Sequence, residues 1–189
     1  MAMTHSPGRY LTKAIDRTAN ALRGLWYRHI YLSWVQFGRT ITFAGPIRCA
    51  GVTGSIRIGD RVFLGPNISL AVAEGGSLVI GRDVSVNQGS ILSARLSVTV
   101  GDGTRIGDHC SIRDSDHRIE AGRTLLESGF QAQAVKIGRN VWIGRQVTVL
   151  PGVTIGDDAI IGAHSLVNTD IPARALAFGT PARVQRVLA

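Results

Sequence analysis

The tetrapeptide DSDH, residues 114–117, sets one imidazole beside two carboxylates. Imidazole titrates near neutrality, so His117 suits a general base, and either Asp114 or Asp116 could hold its tautomer. The plainer alternative is a surface histidine that merely pairs with its aspartates. Elsewhere the chemistry is sparse. No Ser-His-Asp constellation and no phosphate-binding glycine loop is legible. Cys49 and Cys110 lie far apart without a CxxC pair, which points to reduced thiols rather than a disulfide framework.

What must position His117 is a six-residue repeat. In IGRNVWIGRQVTVLPGVTIGDDAIIG, residues 137–162, an aliphatic returns at Ile137, Ile143, Val149, Ile155 and Ile161. A helix repeats near 3.6 and a half-buried strand at 2, so neither explains a strict six. Extended backwards, the repeat resolves into three series. The first is Ile58, Ile80, Val100, Ile137 and Ile155; the second is Leu64, Val86, Ile106, Ile143 and Ile161. The third is Leu70, Leu92, Ile112, Val149 and Val167. Five coils of a triangular prism follow, each placing one aliphatic per face inward. Positions four beyond the aliphatic, such as Val62, Ser90, Cys110 and Val147, read as a second inward set. Cys110 is then a small core residue. Glycine follows nearly every aliphatic of the first two series, as expected of a left-handed or crowded corner, and Asn87 is the one exception. The coils near Ile41 and Ile47 are irregular, and their register stays open.

Every interruption leaves after the third series. Leu70 to Ile80, Leu92 to Val100 and Ile112 to Ile137 are all longer than six, so the insertions stack on one side, which in repeat folds marks a binding face. The longest, residues 113–136, carries His117 at its root. Its Leu125, Leu126 and Phe130 need cover.

Period, glycine corners and the ending VNTDIPARALAFGTPARVQR, residues 167–186, together resemble the hexapeptide-repeat acyltransferases. The likeness covers about residues 41 to 186 and is nearest to galactoside, maltose and capsular-polysaccharide O-acetyltransferases. It implies a mainly β fold, a left-handed parallel β-helix with an N-terminal helix, an extruded loop and a short C-terminal helix. It further implies an acetyl-CoA-dependent O-acetyltransferase of a sugar hydroxyl, in surface polysaccharide or related glycan biosynthesis, with His117 as base. A main-chain N–H near Arg145 would stabilise the oxyanion. Carried over by position, Trp142, Arg145, Ala163, Asn168, Thr169, Arg183 and Arg186 would bind coenzyme A, the arginines from one helix face. Thr169 stands where the family has lysine. Asn87 aligns with an acceptor contact, and Arg95 stands where those enzymes have an acidic one, which argues against their small galactoside or maltose acceptors. The family also implies a homotrimer with active sites between subunits and no metal; the H-x4-H pair of its zinc enzymes is absent. N-acetylation of an amino sugar and a non-catalytic scaffold are the alternatives.

The chain divides into residues 1–40, an amphipathic helical segment; 41–171, the β-helix; and 172–189, a cap. Leu11, Ile15, Leu22, Trp26 and Ile30 recur at helical spacing among basic residues. That stripe suits docking on the prism or between subunits, with a membrane surface as the alternative. Lys and Arg number 21 against 13 acidic residues, a formal +8, yet aromatics are 6% and no basic run stands out, so nucleic acid is not expected. No bilayer-length apolar run and no signal-peptide h-region is read, consistent with a cytoplasmic protein, with the inner membrane face as the alternative site.

Overall fold

The computed structural model describes residues 18–49 and 53–188; Leu11 and Ile15 lie outside them. Three sheets of parallel strands, closed by one antiparallel strand at the end, enclose a triangular prism. It has the left-handed parallel β-helix architecture. The first face runs from Gln36–Phe37 to Thr154–Ile155, and the third from Ile47–Cys49 to Leu166–Val167. The second begins at Thr42–Phe43 and ends on the hairpin Ala175–Gly179 and Ala182–Val187.

Each aliphatic series forms one ladder of lateral partners. Ile58, Ile80, Val100, Ile137 and Ile155 pair in succession, as do the members of the other two series. All fifteen are at most 3% exposed. Burying each side chain contributes roughly 1.5–3 kcal/mol of transfer free energy, which makes the ladders the main source of stability.

The irregular first coil also obeys the six. Phe37 pairs with Ile58, Phe43 with Leu64 and Cys49 with Leu70, so aromatics stand where aliphatics were sought. Ile47 is a secondary inward residue and Ile41 only packs against the core. The prism therefore has six coils rather than five, and a partial seventh begins at Ile171 and Ala177.

The glycine corners are crowded and not left-handed. Left-handed φ falls two residues later, at Arg61, Asp83, His109, Asn140, Gln146, Asp158 and His164. A Cβ on Gly144 would lie 2.6 Å from the Ala163 nitrogen of the next coil. Close stacking of successive coils, not backbone handedness, requires glycine there.

Both ends are capped. Residues 18–26 are helical and pass into a wide turn, Tyr27–Tyr31. Tyr27 packs on Phe43, its hydroxyl accepts from the Ile47 N–H at 2.9 Å, and Leu32 and Val35 are buried. Leu22, Trp26 and Ile30 do not dock on the prism of their own chain but face outward, because Tyr27 makes that contact. No helix among the described residues is long and apolar enough to cross a membrane. At the other end the expected helix is absent. Residues 182–187 form a strand antiparallel to 175–179, because pairing there extends the second face over an otherwise open edge.

Candidate functional site

All interruptions emerge at the junction of the third and first faces. The strand Ser111–Arg113 leads into an antiparallel hairpin, Ser115–His117 against Phe130–Ala132. At its far end Thr124 and Glu127 form a capping box for the single turn Leu125–Ser128. Leu125 and Leu126 stay exposed in the single chain.

Alternation along this strand sorts its residues. Ile112 is inward, Arg113 outward and Asp114 inward, fully buried. The Asp114 carboxylate accepts three main-chain N–H groups, from Arg95 at 2.7 Å, Leu96 at 2.7 Å and Ser97 at 2.6 Å. Both oxygens are thereby committed to pinning the neighbouring insertion, so Asp114 does not orient His117. Asp116 and His117 are exposed, and among the described residues His117 hydrogen-bonds to neither aspartate. Its ring packs on cross-strand Phe130, centroids 4.2 Å apart. Phe130 also carries Arg95, whose guanidinium carbon is 3.7 Å from the ring centroid.

These groups wall a cleft of about 280 Å³ whose floor is Ala71, Ala73, Ser93 and Ser115. Register explains the floor: Ala71, Ser93 and Arg113 are lateral partners on the outward side, and two of the three are small. Asn87 is not in this lining; it sits at the corner between the second and third faces, its N–H bonded to the Ile106 carbonyl at 3.0 Å. Arg113 and the floor were missed in the sequence. The residue following each third-series aliphatic, Ala71, Ser93 and Arg113, would have revealed them.

The positions carried over for coenzyme A fall in two places. Arg145 and Ala163 stack at the corner between the second and third faces, where each lies against a glycine of the preceding coil. Their N–H groups donate to nothing among the described residues. Trp142 is exposed on the adjoining second face, laterally paired with Ile160, then Leu176, then Arg186. Arg183 and Arg186 stand three apart on a strand, which would normally oppose them. A bulge between Leu176 and Ala177 sets Arg186 opposite Leu176 and Arg183 opposite Phe178, so both share the outer side. Asn168 and Thr169 lie apart from these, after Val167 at the insertion edge.

Other polar groups have structural partners. The Cys110 thiol is buried and donates to the Gly144 carbonyl, and burial pushes its pKa up. His109 and His164 are exposed corner residues. No group of three or more His, Cys, Asp or Glu side chains converges among the described residues.

The chain is similar to known proteins. Residues 134–169 match the family described as bacterial transferase hexapeptide (six repeats). A putative lipopolysaccharide biosynthesis O-acetyl transferase of Escherichia coli is 33% identical over 139 residues, covering 69% of this chain and 71% of that protein. A probable acetyltransferase of Mycobacterium tuberculosis is 34% identical over 68% of this chain but only 43% of its own length, so this chain spans under half of that relative. The crystal structure of a hexapeptide-repeat acetyltransferase from Vibrio cholerae, complexed with acetyl coenzyme A, superposes with a TM-score of 0.60. It is 26% identical over 89% of this chain and 78% of that one. The chain belongs to the hexapeptide-repeat acetyltransferases.

Proposed function

We propose that this chain is an acetyl-CoA-dependent O-acetyltransferase of a sugar hydroxyl in surface polysaccharide or related glycan biosynthesis. The observation that carries the reading is His117, exposed at the cleft wall with its ring packed on Phe130 and, among the described residues, no hydrogen bond on its ring nitrogens. An imidazole so placed can take the proton of a bound hydroxyl at neutral pH. The donor fits the corner beside the second face. Trp142 offers an apolar surface, the Arg145 and Ala163 N–H groups have no acceptor among the described residues, and Arg183 and Arg186 suit phosphates. Bound there, acetyl-CoA supplies an electrophilic thioester carbon. The Arg145 N–H would be a fixed donor for the carbonyl oxygen that gains charge as the hydroxyl attacks, and the proton taken by His117 would go to the coenzyme A thiolate released when the thioester C–S bond breaks.

Arg145 begins the third-face segment and His117 leaves at its far edge. Arg145 sits in the turn before the strand Thr148–Val149, and the insertion leaves after the laterally paired strand Ser111–Arg113, so the two lie at opposite edges of that face. A working site therefore draws its base from one chain and its donor corner from a second. That geometry supports a closed trimer, with the exposed loop leucines covered by a neighbour. The test is thiol release from acetyl-CoA with a panel of glycans and sugar nucleotides, with the linkage of the product read by mass spectrometry. An ester-linked acetyl sugar supports the reading. No thiol release with any acceptor, or a stable active monomer by light scattering, would overturn it.

A further inference from the structure

Three arginines elsewhere on the prism are matched to carboxylates of neighbouring coils. Arg61 pairs with Asp83, Arg82 with Asp102 and Arg139 with Asp157 at 2.6–2.8 Å. The cleft gathers two arginines that are not so matched. Arg95 and Arg113 both line it, and among the described residues neither has an ion-pair partner. Arg113 spends one donor on Ser111 at 3.1 Å. Arg95 makes no side-chain hydrogen bond among the described residues; only its main-chain N–H is engaged, by Asp114. The two nearby carboxylates do not cancel this charge. Asp114 lies on the inward side of the sheet, with three N–H dipoles on its oxygens, and Asp116 lines the cleft without reaching either guanidinium. Stacking on Phe130 holds the Arg95 plane, leaving its edge donors for a ligand. The small floor leaves the space between the two cations open.

We infer that the acceptor carries an anionic group, a carboxylate or a phosphate, which Arg95 and Arg113 bind while His117 addresses a hydroxyl of the same molecule. This rests on the acetyl-transfer reading for the hydroxyl step, but the anion site stands on its own geometry. Charge-assisted bonds to two guanidiniums are expected to favour the anionic ligand by about ten- to hundred-fold.

The experiment uses two matched pairs with the full chain: a glucuronide and its neutral methyl ester, and a sugar phosphate and its unphosphorylated parent. Calorimetry measures binding and thiol release measures transfer. At least one anionic member should bind about tenfold or more tighter than its neutral partner, and which pair responds identifies carboxylate or phosphate. The Arg95→Gln/Arg113→Gln double variant, checked for an unchanged melting temperature, should lose that preference. Its side chains are exposed, so the fold does not depend on them; if the double variant melts early, the two single variants carry the same readout. Equal binding within both pairs, no binding by any member, or a preference that survives the substitutions would overturn the inference. Anion binding that needs the arginines without thiol release from any acceptor would instead overturn the acetyl-transfer reading and leave the anion site standing.

Discussion

Two edges of the same prism treat charge in opposite ways. At the corner between the first and second faces, Asp60, Arg82, Asp102, Arg139 and Asp157 occupy equivalent places in successive coils and alternate in sign. Each pairing there closes on itself: an aspartate accepts a main-chain N–H from the coil before, and in the Arg82–Asp102 and Arg139–Asp157 pairs it also takes the guanidinium. The insertion edge follows the same coils yet, among the described residues, leaves Arg95, Arg113 and His117 without ionic partners and buries the Asp114 carboxylate beneath them, while the ion pairs of Glu120 with Arg118 and Arg123 lie further along the loop. Repetition can saturate a corner because every coil repeats its geometry. An edge that is interrupted differently in each coil cannot do so, and the side chains it leaves open are the ones available to a ligand.

The sharpest way to break this contrast is His117→Ala. The residue is exposed beyond the last inward aliphatic, so its loss should leave the melting temperature and oligomeric state unchanged. Removing a positioned general base should lower kcat by about 10²–10⁴ with little change in the acetyl-CoA KM. Steady-state rates with the true acceptor within a few-fold of the parent would make His117 a bystander.

Asp114→Asn strikes the support beneath the cleft. An amide keeps the shape, but its NH₂ must face main-chain donors that the carboxylate now satisfies at 2.6–2.7 Å. The expected loss is on the order of 3 kcal/mol, read as a lower denaturant midpoint, together with weaker activity because Arg95 is no longer held. A parent-like midpoint would show that the insertion does not depend on this anchor.

The donor edge should respond more narrowly. Arg183→Ala with Arg186→Ala should raise the acetyl-CoA KM by about ten- to hundred-fold and lower kcat little. The β-bulge that brings both residues to one side makes the pair act together. If the donor KM does not move in the folded double variant, the terminal strand only seals the second face.

Much of this was readable because a period of six leaves one solution for the core. The fifteen aliphatics and the side from which every insertion emerges follow from spacing alone. The first coil was hidden because Phe37 and Phe43 replace aliphatics, and Cys49 lies before a further interruption. The terminal strand was missed because the family resemblance implies a helix there, whereas an open sheet edge rewards pairing. The role of Asp114 was legible but overlooked: two residues past Ile112 it falls in step with buried Val72 and Ala94, so strand parity alone turns it inward. The pairing of Arg95 with Phe130 needs the hairpin register, which no spacing rule supplies.

The smallest expected effect lies at the saturated corner. Asp157 is held below the ordinary aspartate range first by the Arg139 main-chain N–H and then by the Arg139 side chain; Asp102 is lowered in the same way by Arg82. A lowered folded-state pKa means that the unfolded chain binds protons first. The stabilisation is therefore fully present above the unfolded value near 3.9 and is lost as pH falls through the folded one. At neutral pH, Asp157→Asn should lower the melting temperature only slightly, because both partners are solvent-exposed. Raising salt to about 1 M, where screening acts over roughly 3 Å, should remove most of the side-chain contribution. Below the folded-state pKa, parent and variant should converge. Thermal melts across pH and salt check this against Asp114→Asn, whose buried contacts should make its deficit insensitive to salt. If both variants show the same salt dependence, the two edges do not differ in the way described.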